Sequence, residues 1–380
     1  MKFVIAPDSF KGSLTAKEVA DAIKKGVSRV YPDADYVMVP MADGGEGTVQ
    51  SLVDATHGQL IHKKVHNPLN QLSDAYYGIL GDGKTAVIEM AQASGIQYVD
   101  ENTHNPLITT TYGTGELMLD AMDHGVSAII MGIGGSATND GGAGMAQALG
   151  AHLLDKEGKE LSFGGGALDQ LDKIDVSAVD SRVADTKILI ASDVTNPLTG
   201  KDGASAVFGP QKGATPEMVK QLDSNLHHYA QIIKRDLKKD IEMKPGAGAA
   251  GGLGTGLMAF TNSEMKLGID IVVEYTKLKE QAAGADYVFT GEGGIDFQTK
   301  FGKTPYGVAK ATKKVAPNAP VIVLAGNVGE KIDSLYSSDA MDAIFATPAG
   351  AKSLKDAMAD GPHDIALTAE NIARLINVIS

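Results

Sequence analysis

The sequence predicts an α/β protein in which a discontinuous, doubly wound sheet is built from both chain ends and a mixed α/β domain is inserted between them. Three observations carry that expectation. Short apolar runs alternate with helical periodicity near the N-terminus, the same alternation returns near the C-terminus, and neither flank has enough strands to stand alone. A length of 380 residues suits two or three domains at roughly 100–200 residues each.

In chain order, 3–6 reads as a strand, 15–30 as a helix, 36–39 as a second strand and 47–55 as a second helix. At the other end, 286–290, 321–325 and 343–346 read as strands, with helices over 304–315 and near 368–379. Short buried runs alternating with helices imply a parallel sheet covered on both faces. Between the flanks, 60–65, 75–80 and 86–90 alternate like strands of a different, mixed sheet. A helix over 116–123, a run at 127–131, a small-residue helix after Asp140, a run at 187–191 and a long polar helix over 216–237 follow. The expected boundaries are 1–65 with 285–380 for the terminal domain and 66–284 for the insertion. Two domains joined by two crossings make a cleft the expected ligand position.

Composition narrows the function. Hydrophobic residues are 43% and charged residues 21%, which excludes a disordered chain or a coiled-coil rod. The absence of cysteine removes disulfides, thiolate zinc sites, iron–sulfur clusters and cysteine nucleophiles. A net charge of -13, with no basic stripe, argues against nucleic acid as a partner. No apolar stretch approaches the ~18 residues of a membrane span, and the run at 3–6 is too short for a signal peptide, so a cytoplasmic protein with small-molecule partners is expected. Association between copies of the chain is compatible with this.

The 45 glycines cluster at 43–47, 132–144, 164–166, 246–256 and 291–294. Such clusters let backbone amides approach a ligand. Residues 132–151, GIGGSATNDGGAGMAQALGA, follow a strand-like run, and strand, glycine turn and helix together form an anion site at a helix N-terminus. Gly132, Gly134 and Ala137 match a dinucleotide fingerprint with Asp155 downstream, but Ser136, Thr138, Asn139 and Asp140 suit a metal–phosphate or polyol better. Gly246, Gly248 and Gly251 match again, after a polar segment rather than a strand; they read as a ligand cradle or a structural hinge.

Acids stand where four strands end: Asp8, the Asp43–Glu46 loop, Asp193 and Glu292. One such acid commonly caps a helix or forms a turn. Four in equivalent places point to a shared acidic site at the carboxyl ends of the strands. Magnesium or the lysines Lys11, Lys212 and Lys303 must balance those charges against an anionic substrate. The 296–304 tail imitates a P-loop, but Phe297 occupies the position of its first glycine. His62 and His66 read as a solvated strand face, His227 and His228 as helix surface, and no Gly-x-Ser-x-Gly elbow is present.

The ordered motifs are APDSFKGSL at 6–14, PMADGGEGT at 40–48, TTYGTGEL at 110–117, GIGGSATNDGGAGM at 132–145, SDVTNPLTG at 192–200, VFGPQKGA at 207–214, PGAGAAGGLG at 245–254 and GEGGIDFQTKFGK at 291–303. Their set closely resembles the type I glycerate kinases, from residue 6 to beyond 300. The resemblance implies phosphorylation of D-glycerate by ATP with Mg2+, usually at the 2-hydroxyl, and a flavodoxin-like, Rossmann-like domain made from both chain ends. Where many members carry arginine after Gly-Glu-Gly, this chain has Gly294, which leaves Lys300 or Lys303 to supply the cation.

On this reading glycerate lies near Asp8, Ser9, Lys11, Asp43, Gly44, Gly45 and Glu46. The nucleotide phosphates lie near Gly134, Gly135, Ser136, Thr138, Asn139, Gly141, Gly293, Thr299 and Lys303, and magnesium near Asp193, Glu292 and Asp296. Asp193, Lys11 and Lys303 are the expected catalytic groups. Phosphorylation at the 3-hydroxyl, a nicotinamide-dependent dehydrogenase and a non-catalytic sugar-acid sensor are the alternatives.

Overall fold

Strands from the two ends of the chain pair side by side, with Phe3 in register with Tyr36 on one side and Tyr287 on the other. The computed structural model describes residues 1–379. It divides into two compact units, one of residues 1–58 with 267–380 and one of residues 59–266.

In the terminal unit five parallel strands run in the spatial order Ala343–Ala346, Val321–Val328, Tyr287–Ile295, Lys2–Ile5, Asp35–Met38. Phe3, Ile5, Phe289 and Leu324 pack with Ile23 and Val27 of the helix Ala16–Val27 and with Ile365 and Ile372 of Gly361–Ile379. The alternate residues Val4, Val288, Val321 and Val323 are equally buried. Because successive side chains point to opposite faces, burial of both sets means that both faces are covered. Thr15 and Glu18 close a capping box at the start of Ala16–Val27. The last helix begins at Gly361 rather than near 368, since Pro362 falls in its first turn, where a missing N–H costs nothing.

The other unit holds a six-stranded mixed sheet, ordered Asn262–Lys266, Lys187–Ala191, Ala128–Gly132, Thr85–Glu89, Leu72–Ile79, Gln59–His66. The first four strands are parallel and the remaining pairings antiparallel. Its core joins Tyr77, Leu117, Ile129, Met131, Ile190 and Tyr229. The polar segment Asn262–Lys266, unread in the sequence, is an edge strand, where one side of the backbone pairs and alternation is weak.

Both unit boundaries differ from the expected 65/66 and 284/285. Gln59–His66 pairs along its whole length with Leu72–Ile79 and so belongs to the inserted unit. Residues 267–284 contain the helices Gly268–Tyr275 and Leu278–Ala282, which pack on Thr304–Lys313 and so belong to the terminal unit. Among the described residues no helix is long and apolar enough to cross a membrane.

Candidate functional site

Two cavities gather most of the expected site residues, one within each unit. In the terminal unit a cavity of about 510 Å³ opens where the parallel strands end, with Asp8, Asp43, Glu292 and Asn327 on its wall. The register explains the convergence. Asp8 donates its backbone N–H to Gly291 O at 2.8 Å, and Met41 donates to Pro7 O at 2.9 Å, so three strand-end loops lie side by side. Tyr287–Ile295 pairs with the first strand only as far as Phe289, and its continuation carries Glu292 beyond that neighbour.

Asp8 is 5% exposed, and its carboxylate accepts hydrogen bonds from Thr304 Oγ1 at 2.5 Å and Ser9 N at 2.6 Å. Burial, reinforced by Asp43, pushes it up to about 6 against the pull of Thr304, Ser9 and Lys11. Glu292 Oε1 accepts from Lys303 Nζ at 3.2 Å and from Thr299 Oγ1 at 3.4 Å. Burial pushes this carboxyl up to about 7, with Lys303 opposing and Asp8 and Asp43 assisting. Two carboxyls that titrate near neutrality can take a proton from a hydroxyl. Lys11 and Lys303 on the same wall supply positive charge for an anionic substrate.

Ser9 and Gly293 also line this cavity. Gly45 shapes the adjoining turn by donating its N–H to Asp43 Oδ1 at 3.0 Å, and Gly44 is buried. Glu46 lines an adjoining recess of about 280 Å³ with Gln50 and Asp54, which shares Ser9 and Lys11 with the larger cavity. Asp296 accepts from Gln298 N at 2.8 Å and caps the short helix Phe297–Phe301, so its carboxylate serves the turn. Gly294 has open space on its side-chain side, and Lys303 Nζ donates to its carbonyl at 3.3 Å. Lys300 lines a different cavity, with Tyr306 and Lys310. Of the two cations expected to offset Gly294, Lys303 is therefore the one at this site.

In the inserted unit a cavity of about 400 Å³ is bordered by Gly134, Gly135, Ser136, Gln211, Lys212 and Ala250. The expectation of an open helix N-terminus is corrected here. The helix Ala143–Ala148 has six residues, and the buried Asp140 carboxylate accepts from Thr111 N and Oγ1 at 2.8 Å, Gly142 N at 3.0 Å and Gly144 N at 3.3 Å. Burial raises Asp140 above the ordinary aspartate range despite those bonds. The first-turn amides thus have an internal partner.

Thr138, Asn139 and Gly141 turn inward with Asp140. Asn139 Nδ2 donates to Ser205 Oγ at 2.9 Å, and a Cβ on Gly141 would come within 2.8 Å of the Tyr229 ring. The part of the motif that faces the cavity is 134–136. Asp155, the acid of the dinucleotide fingerprint, accepts from Glu157 N and Lys159 N at 2.9 Å in a hairpin turn. Asp193 follows Lys187–Ala191 in the inserted unit, exposed, and its carboxylate has no hydrogen-bond donor among the described residues. Asn196 supplies the local bond, from Nδ2 to Asp202 O at 2.8 Å.

Sequence reasoning missed Thr304 as the partner of Asp8 and gave Lys212 only a share in charge balance. Thr304 could have been sought as the first residue of its helix, but nothing local links it to a loop 296 positions away.

The profile of the glycerate kinase family matches residues 3–377. The chain is 54% identical over 376 residues to a glycerate kinase of Haemophilus influenzae, covering 99% of each. It is 50% identical over 378 residues to the glycerate 2-kinase of Escherichia coli K12, covering 100% of this chain and 98% of that one. A crystal structure described as glycerate kinase 2 from Salmonella typhimurium LT2 superposes with a TM-score of 0.92 at 50% identity, covering 100% of this chain and 98% of that one. With sequence and fold matched along nearly the full length, the chain belongs to the glycerate kinase family.

Proposed function

We propose that this kinase transfers the terminal phosphoryl group of ATP to the 2-hydroxyl of D-glycerate, giving 2-phosphoglycerate and ADP. The observation that carries the reading is the pairing of Asp8 and Glu292, two carboxyls raised to about 6 and about 7, with Lys303 in one strand-end cavity. The glycerate O–H proton passes to this carboxyl pair as the new oxygen–phosphorus bond forms, and the bond from phosphorus to the leaving ADP oxygen breaks. Lys11 and Lys303 hold the glycerate carboxylate and the transferring phosphoryl charge by direct attraction.

The turn at Gly134, Gly135 and Ser136 receives nucleotide phosphate through its backbone. Magnesium, when bound, neutralises charge on the donor phosphates, and it commonly binds through one or two carboxylates with phosphate and water completing the shell. The Asp193 carboxylate, with no hydrogen-bond donor among the described residues, would supply one such ligand in the inserted unit, whereas Asp296 Oδ1 already accepts the Gln298 N–H of its cap. Among the described residues no three histidines or acids are grouped to hold an ion by themselves. The strand order of the terminal sheet, written by sequence as 2-1-3-4-5, supports reading that unit as a flavodoxin-like domain interrupted by the insertion. ATP as donor places the reaction in the cytoplasm.

Proton-coupled phosphorus NMR of the product tests both activity and position. A phosphate on carbon 2 couples to one proton and gives a doublet. A triplet would reassign transfer to the 3-hydroxyl, and no ester from ATP and D-glycerate would overturn the reading.

A further inference from the structure

Lys212 is a lysine in the wrong place for a surface charge. It ends the turn Pro210–Lys212, with Gly213 at φ 91 reversing the chain after it, and its side chain is 2% exposed. Nζ donates to Thr138 O at 2.6 Å and to Ser136 Oγ at 3.2 Å. Those two acceptors flank the inward bend of the glycine motif. Burying an ammonium is unfavourable unless a counter-charge and good acceptors meet it. The Asp140 carboxylate is the charge that reaches it, and even so burial draws Lys212 down to about 7.

The wall facing Lys212 is strained independently. Ala250 has φ 53 and opens a run of left-handed residues continued by Gly251 and Gly252. A residue with a Cβ is disfavoured there, and such strain gathers where a surface is held ready for a ligand. The Ala250 carbonyl lies 3.4 Å from Ser136 Oγ, and Gly251 O accepts from Gly141 N at 3.0 Å, so the two glycine loops brace each other around the lysine. Gly134 and Gly135 remain exposed on the cavity side, the latter at φ 73.

We propose that Lys212 is the positioning residue of a phosphoryl-binding turn: it grips Ser136 and Thr138 from beneath, so that the backbone of Gly134 to Ser136 is presented to ATP phosphate, whose charge completes that of the lysine. The proposal rests on the reading of this cavity as the nucleotide-phosphate site. Lys212 acts through the turn rather than on the reacting atoms.

The test compares Lys212→Met, which keeps the stem and deletes the charge and its donors, with Gly134→Val, which puts bulk where an added Cβ meets nothing within 4 Å. Lys212→Gln stands in should the methionine variant not fold. Expected is a rise of about tenfold or more in the KM for ATP for both substitutions, with the KM for D-glycerate within about twofold of wild type. If Gly134→Val raises the ATP KM and the Lys212 variants do not, the phosphate site stands and the role of Lys212 is overturned. If neither moves it, the site reading fails and the proposal with it. Equal shifts in both KM values would reduce Lys212 to structural support.

Discussion

At Asp8 the charge needed for chemistry opposes folding, and the sign of that opposition is measurable. Its carboxyl rises from 3.8 to about 6, so between those values the folded chain binds more protons than the unfolded one and stability falls as pH rises; the loss is complete above about 6. At 1.36 kcal/mol per unit the penalty is at most about 3 kcal/mol. Asp8→Asn should therefore melt above wild type at pH 8 and level with it near pH 4, while turnover falls by ~10²–10⁴. A lower melting temperature at pH 8 would show that the fold uses the charge. Activity should climb with pH through about 6 to 7 as the pair with Glu292 gives up its protons, a limb that belongs to the pair rather than to either residue. Glu292→Gln should shift that limb, and an unchanged profile would remove Glu292 from proton transfer. Asp193→Asn, at an exposed position, should leave melting unchanged and lower turnover in a way that added magnesium relieves; wild-type turnover would end its role.

The helix pair Ala16–Val27 and Gly361–Ile379 shows how closely one element can be tied to another. A Cβ on Gly26 would lie 2.1 Å from Ala366 O and 2.9 Å from Glu370 N, both backbone atoms that no rotamer change can move aside. Alanine has the better helix propensity by about 1 kcal/mol. Overpacking against backbone costs typically ~1–3 kcal/mol, so Gly26→Ala should lower the denaturant midpoint with kinetics preserved where the protein stays folded. A raised midpoint would mean that the helices separate at little cost. The same close approach is why this glycine persists inside a helix whose cap, period and acidic first turn are otherwise ordinary.

At the scale of the whole molecule, the two units differ in how they can form. The inserted unit is contiguous, with its own six-stranded sheet and core, so a fragment of residues 59–266 should fold alone. The terminal unit takes three of its five strands from beyond residue 286, and its first strand has a neighbour from the distant end. Residues 1–58 alone should be unfolded. Circular dichroism and thermal melts of the two fragments check this, and a 59–266 fragment without a cooperative transition would count against its independence.

What the sequence by itself determined was local: the apolar runs at 3–6, 286–290 and 321–325, the helix read over 15–30 and found over Ala16–Val27, and the acids where strands stop. Pairing of the two ends was legible too, because neither had strands enough to cover a core. Periods of two and 3.6 residues, and the turn chemistry between them, are written into neighbouring positions and can be read there. Only the tertiary structure decided that Asp8, Asp43 and Glu292 share one cavity, which Asp193 does not line, and that Asp296 is a cap. It also decided that Asn139 and Asp140, polar residues in a glycine turn, are buried supports, and that Lys212 lies beneath that turn rather than in water. The physical reason is that a carboxyl's proton affinity and a lysine's solvation depend on what packs around them, and the groups that pack around Asp8 and Lys212, Thr304 and Thr138, come from 296 and 74 residues away.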